Sequence, residues 1–153
     1  MPKIISRLML SLVAVTFMMG VVTTAPALAE GRHVKVAIHV DENDKFKMNM
    51  ALNNAANVYS YYKSKGDKVD VRIVAYGPGL HMLRKDTSPV KDRIAKMALE
   101  QDGLSFAACG NTHRKMSQKA KKDVAILDEA KMVTAGVVEL MELQMKGWTY
   151  IRP

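Results

Sequence analysis

The chain has 153 residues, 23 Lys and Arg against 15 Asp and Glu for a formal charge of +8, and a single cysteine, Cys109. One cysteine excludes an intramolecular disulfide framework, and the length suits one domain rather than several. The basic balance fits anionic partners or a solubilising surface, and nucleic acid is not among the expected partners.

The N-terminus reads as an export signal in three parts: a basic tip with Lys3 and Arg7, an apolar stretch over residues 8–22, and a small-residue exit at Ala27-Leu28-Ala29. The apolar stretch is shorter than the roughly 20 residues of a spanning helix, so residues 1–29 are expected to be cleaved after Ala29. Membrane contact is expected only through an uncleaved signal, and Glu30 stands where a lipid-bearing cysteine would have to stand. Residues 30–153 then form one exported domain. Removing two Lys and Arg and no acid leaves 21 minus 15, or +6.

Residues 34–40 are a compact, β-branched apolar run that predicts a buried strand. Asp44 or Asn43 caps a helix in which Met48, Leu52, Ala55, Tyr59 and Tyr62 share one face, and Gly66 stops it. Residues 69–76 read as a second strand, Gly77-Pro78-Gly79 as a tight turn, and residues 80–84 as a short helical piece or loop. Ser88-Pro89 starts a helix carrying Val90, Ile94 and Met97 on one side until Gly103. A third strand over residues 104–108 is closed by Cys109. Gly110-Asn111-Thr112 turns into a polar helix over about residues 113–122. Residues 131–134 suit a fourth strand. Gly136 opens a helix through Met145 with Val137, Leu140, Met141 and Leu143 facing inward, and after Gly147 residues 148–151 form a last short strand. This alternation predicts an α/β fold, a three-layer sandwich around a mostly parallel sheet.

In such sheets ligands bind beyond the carboxyl ends of the strands, which gathers residues 41–44, 77–80, 110–112 and 135–136 at one edge together with Cys109. A thiol between a strand and the following helix faces unpaired N–H groups and the positive end of a helix dipole, and both favour the thiolate. Arg114, Lys115, Lys119, Lys121 and Lys122 add positive potential or form a solvated face. The alternative is a packed, inert Cys109 in a non-enzymatic oligomeric module that binds a small ligand or partner. A third reading takes Cys109, His113 and Met116 as copper ligands with His33, His39 or His81, but blue-copper sites belong to all-β folds, so no metal is assigned. Gly77 and Gly79 are candidate pocket walls; they are too few for a dinucleotide fingerprint. Asn53, Asn54 and Asn57 interrupt an apolar helix face and suit caps, a subunit contact or plain exposure.

Several segments together resemble the DsrE/DsrF-like family of sulfur-relay proteins, in its exported single-domain form. They are Leu52-Asn53-Asn54-Ala55-Ala56-Asn57, Ile73-Val74-Ala75-Tyr76-Gly77-Pro78-Gly79-Leu80, Phe106-Ala107-Ala108-Cys109-Gly110-Asn111-Thr112, and Ala135-Gly136-Val137-Val138-Glu139-Leu140 continuing to Pro153. The resemblance implies a flavodoxin-like sandwich, assembly as a homotrimer or hexamer, a periplasmic location, and sulfane sulfur held as a persulfide on Cys109. No cofactor is implied. Gly110, Asn111 and Thr112 would shape the cysteine loop and present N–H groups, partners would be a sulfur donor or acceptor protein, and His113 departs from the apolar residue expected at its place.

Overall fold

The computed structural model describes residues 31–153, so the expected signal at residues 1–29 lies outside the described residues. Five strands form one parallel sheet: β1 (His33–Val40), β2 (Lys68–Ala75), β3 (Leu104–Cys109), β4 (Ala130–Val133) and β5 (Thr149–Ile151), in the order β4-β3-β2-β1-β5. The helices are α1 (Lys45–Lys63), α2 (Lys91–Glu100), α3 (Gly110–Ala120) and α4 (Gly136–Met145), and a 3-10 segment spans Gly77–Leu83.

The strand order determines which face each helix covers. From β1 to β4 the chain steps in one direction across the sheet, and α4 then carries it back past β1 to β5. Right-handed crossovers put helices from opposite steps on opposite faces. The two apolar clusters follow this division. Val36, Ile38, Val40, Val71, Ile73 and Phe106 pack under α1, the 3-10 segment and α2, with Met116 of α3 at their margin. Ala37, Val74 and Ala107 lie on the other face beneath Leu140 and Leu143 of α4. Burial on both faces is complete only toward the carboxyl ends of β1 to β3; the first half of β2 alternates, with Lys68, Asp70 and Arg72 between Val69, Val71 and Ile73. Small residues on the α4 side let that helix approach the sheet, and Arg72 pairs with Glu139 at 2.7 Å to hold it there.

Most local expectations hold. Asp44 caps α1 by accepting from the N–H groups of Phe46 and Lys47 at 2.7 and 3.1 Å. Val90, Ile94 and Met97 are buried, although α2 begins at Lys91. The Ser88 hydroxyl donates to the Met82 carbonyl and accepts from Val90 N–H, fastening the turn before that helix. Three expectations need correction. Ser88 and Pro89 do not start α2, which begins at Lys91 with Val90 at its N-cap position and no side-chain cap. Gly110, Asn111 and Thr112 are the first turn of α3 itself, not a turn preceding it. In α4, Leu140 and Leu143 face inward as expected, but Val137 and Met141 are exposed, because the sheet leaves room for only a narrow stripe of that helix. Among the described residues, no helix is long and apolar enough to cross a membrane.

Ile73 is fully buried in the centre of the larger cluster. Ile73→Ala is expected to lower stability by about 3 kcal/mol, seen as a lower urea midpoint at unchanged slope.

Candidate functional site

Because β3 and β4 are adjacent but send their following helices to opposite faces, α3 and α4 diverge from one point at the carboxyl edge of the sheet. Such a reversal opens a crevice between the two loops. Cys109 stands in it, the last residue of β3, paired in register with Val133 of β4.

Cys109 is also the N-cap residue of α3, with extended backbone at φ −68° and ψ 115°. An N-cap side chain faces the N–H groups two and three positions on, those of Asn111 and Thr112. Cys109 stands at that position, although its side chain makes no capping hydrogen bond. Gly136, the first residue of α4, brings a third N–H from the other side of the crevice, and no side chain caps that helix. The Thr112 hydroxyl completes the set. Burial alone pushes the Cys109 thiol up, yet the Thr112 hydroxyl, then the N–H groups of Gly136, Thr112 and Asn111, outweigh it and hold the thiol below its ordinary value. Asn111 contributes least, since its N–H is engaged by the Thr134 carbonyl at 3.2 Å.

Thr112 is itself held in place. Gly77 N–H donates to Thr112 Oγ1 at 2.9 Å, which leaves the hydroxyl proton for the sulfur. Gly77 reaches this position with φ +53°, a left-handed conformation that favours glycine. Of the expected site residues, Gly77, Gly110, Asn111 and Thr112 thus gather around Cys109. Gly110 packs against the Val133 carbonyl at the first position of α3. Gly79 does not join them: it is buried against the Val40 carbonyl, where a Cβ would collide, and serves the packing of the 3-10 segment on β1.

His113 donates from Nε2 to the Val124 carbonyl at 2.8 Å, tying α3 to the chain that leads into β4, and Met116 Sδ lies 3.9 Å from Arg84. Two members of the copper string are thereby engaged elsewhere, and no group of three His, Cys, Asp or Glu side chains suited to a metal forms among the described residues. Arg114 bonds Asn111 Oδ1 at 2.7 Å, and Arg114, Lys115, Lys119, Lys121 and Lys122 are exposed. Asn49 and Asn53 accept from Arg93 and link α1 to α2, so that asparagine face is partly structural. Three site features were not anticipated from the residues: the Gly136 N–H as a donor to the sulfur, Tyr76 beside it, and the buried His39 behind Tyr76.

Removing the Thr112 donor while keeping its shape tests this arrangement. In Thr112→Val, iodoacetamide should alkylate Cys109 roughly three- to tenfold more slowly at neutral pH, with the rate profile displaced to higher pH.

No curated protein matches the sequence. Among solved structures, the chain is similar to a protein of unknown function from Methanobacterium thermoautotrophicum, with 29% identity over 80% of this chain and 99% of the other, and a TM-score of 0.66. A family model described as DsrE/DsrF-like matches residues 34–153, a span that takes in every strand but the first residue of β1 and includes the Cys109 crevice. The chain belongs to the DsrE/DsrF-like family.

Proposed function

We propose that this protein carries sulfane sulfur on Cys109 as part of a sulfur relay. The observation that carries the reading is the convergence of two helix N-termini and the Thr112 hydroxyl on one thiol, which favours the thiolate that sulfur transfer requires. The Cys109 thiolate attacks the sulfane sulfur of a donor such as thiosulfate. A new S–S bond forms, the donor S–S bond breaks, and sulfite leaves with the electron pair. The persulfide remaining on Cys109 is then attacked at its outer sulfur by an acceptor thiolate, and the Cys109 thiolate departs. Neither step needs a cofactor or an outside oxidant. Since Cys109 is 4% exposed, a small donor, or a sulfur at the tip of a larger one, suits the crevice.

A periplasmic location, with residues 30–153 as the mature domain, belongs to the proposal and is supported by the N-terminal sequence pattern. Assembly as a homotrimer or hexamer belongs to the same proposal. It is supported by the exposed Val137, Val138, Met141 and Met145 of α4 and Met132 of β4, apolar side chains that a second copy would cover.

The burial of Cys109 favours a second reading, a binding module in which the thiol is only packed. Intact mass spectrometry after incubation with thiosulfate or polysulfide separates the two. The relay predicts a gain of whole sulfur atoms, reversed by a thiol reductant and absent in Cys109→Ser. An unchanged mass, or the same gain in Cys109→Ser, overturns it, and slow alkylation of the native thiol at every pH would then favour the packed cysteine.

A further inference from the structure

Behind the cysteine crevice lies a row of side chains that the sulfur chemistry above does not use. Tyr76 follows β2, one strand over from Cys109 and on the same edge of the sheet. The base of its side chain meets Gly136: a Cβ on that glycine would stand 2.8 Å from both Cβ and Cδ1 of Tyr76 and 3.1 Å from Cγ. The ring stacks on His39, with ring centroids 4.5 Å apart and planes 23° from parallel. His39 is 5% exposed, its Nδ1 lies 2.7 Å from the Tyr150 hydroxyl of β5, and its Nε2 has no hydrogen-bond partner. Asp41 lies 3.9 Å from that nitrogen and is itself gripped by Arg152 at 2.8 and 3.2 Å.

We propose that Tyr76 is a positioning residue for Cys109: its ring, backed by His39, is the stop against which the N-terminus of α4 rests, and this fixes where the Gly136 N–H points. The proposal rests on the reading of Cys109 as a reactive thiolate. The order of contacts supports it. The ring touches Gly136, whose N–H faces the sulfur, and the absence of a Cβ at 136 is what allows so close an approach. A leucine keeps Cβ, Cγ and Cδ atoms near Gly136 but loses the planar ring that His39 backs, so its Cδ1 is no longer held against the glycine. His39 lacks a partner for Nε2 yet stays buried, which is consistent with a ring retained for its stacking face, since an unpaired buried nitrogen costs free energy that packing must offset. Tyr76 touches no reacting atom in this scheme, and its hydroxyl has no part in it.

The test uses Tyr76→Leu, Tyr76→Phe, Gly136→Ala and the Tyr76→Leu/Gly136→Ala double variant, each first shown by its thermal melt to be folded. The readout is the pH profile of Cys109 alkylation by iodoacetamide. Tyr76→Leu and Gly136→Ala should each displace the profile to higher pH and lower the thiolate fraction at neutral pH roughly three- to tenfold. The double variant should shift no further than Tyr76→Leu, and Tyr76→Phe should match the parent. A folded Tyr76→Leu with the parent profile, or a Tyr76→Phe displaced as far as Tyr76→Leu, overturns the proposal. If Tyr76→Leu does not fold, Gly136→Ala decides, a parent-like profile counting against the proposal. A parent protein that alkylates as an ordinary thiol is a separate outcome: it overturns the thiolate reading of Cys109 itself and is read without any variant.

Discussion

The site depends on a reversal in the direction of the chain between two neighbouring strands. Up to β3 every crossover steps the same way and places its helix on one face; from β4 the chain turns back, and the hand of the crossover sends α4 to the other face. Two helices therefore start side by side and part at once. Their first-turn N–H groups have no helical partners and converge on the gap between them. A group that carries negative charge is favoured there whatever its identity, and the residue that the end of β3 delivers to the gap is Cys109.

The local chemistry then divides the work of holding that charge. Burial raises the thiol while the hydroxyl and three N–H groups lower it, and together they outweigh the burial. Thr112 is oriented by Gly77 and Gly136 by Tyr76, while the Asn111 N–H is shared with the Thr134 carbonyl. Four elements thus act on one atom: the 3-10 segment through Gly77, the strand end through Tyr76, and the two helix starts directly. Preorganised donors of this kind need no rearrangement when the charge appears, which is what makes such an arrangement effective.

Much of this could be read along the chain. The strands announce themselves as short segments rich in Val, Ile and Ala, and strand-helix alternation leads to Cys109 at the carboxyl edge. Asp44 as a cap and Val90, Ile94 and Met97 as an inward face follow from short-range rules that the structure obeys. The start of α3 was hidden because a thiol is not among the usual capping groups, so Gly110 to Thr112 resembled a turn. The inward stripe of α4 was ambiguous because Val137, Leu140, Met141 and Leu143 are all apolar, and only the sheet selects two of them. Gly136 is legible as a residue of the strand-end edge, but its N–H as a donor, and the contacts of Tyr76 and His39 behind it, are not, since these join segments distant in sequence. The place of Gly79 was misjudged for a related reason: a glycine beside a site and a glycine under a strand look the same until the Val40 carbonyl is seen against it.

The place of the cysteine at the start of α3 also bears on when its chemistry can begin. Asn111 and Thr112 are close along the chain, but Gly136 reaches the sulfur only after β4 has joined the sheet and α4 has docked on the opposite face. An unfolded or half-assembled chain carries an ordinary thiol, slow to react near neutrality. Acidity is acquired with the tertiary contacts that dock α4, so an unfolded chain carries the thiol dormant.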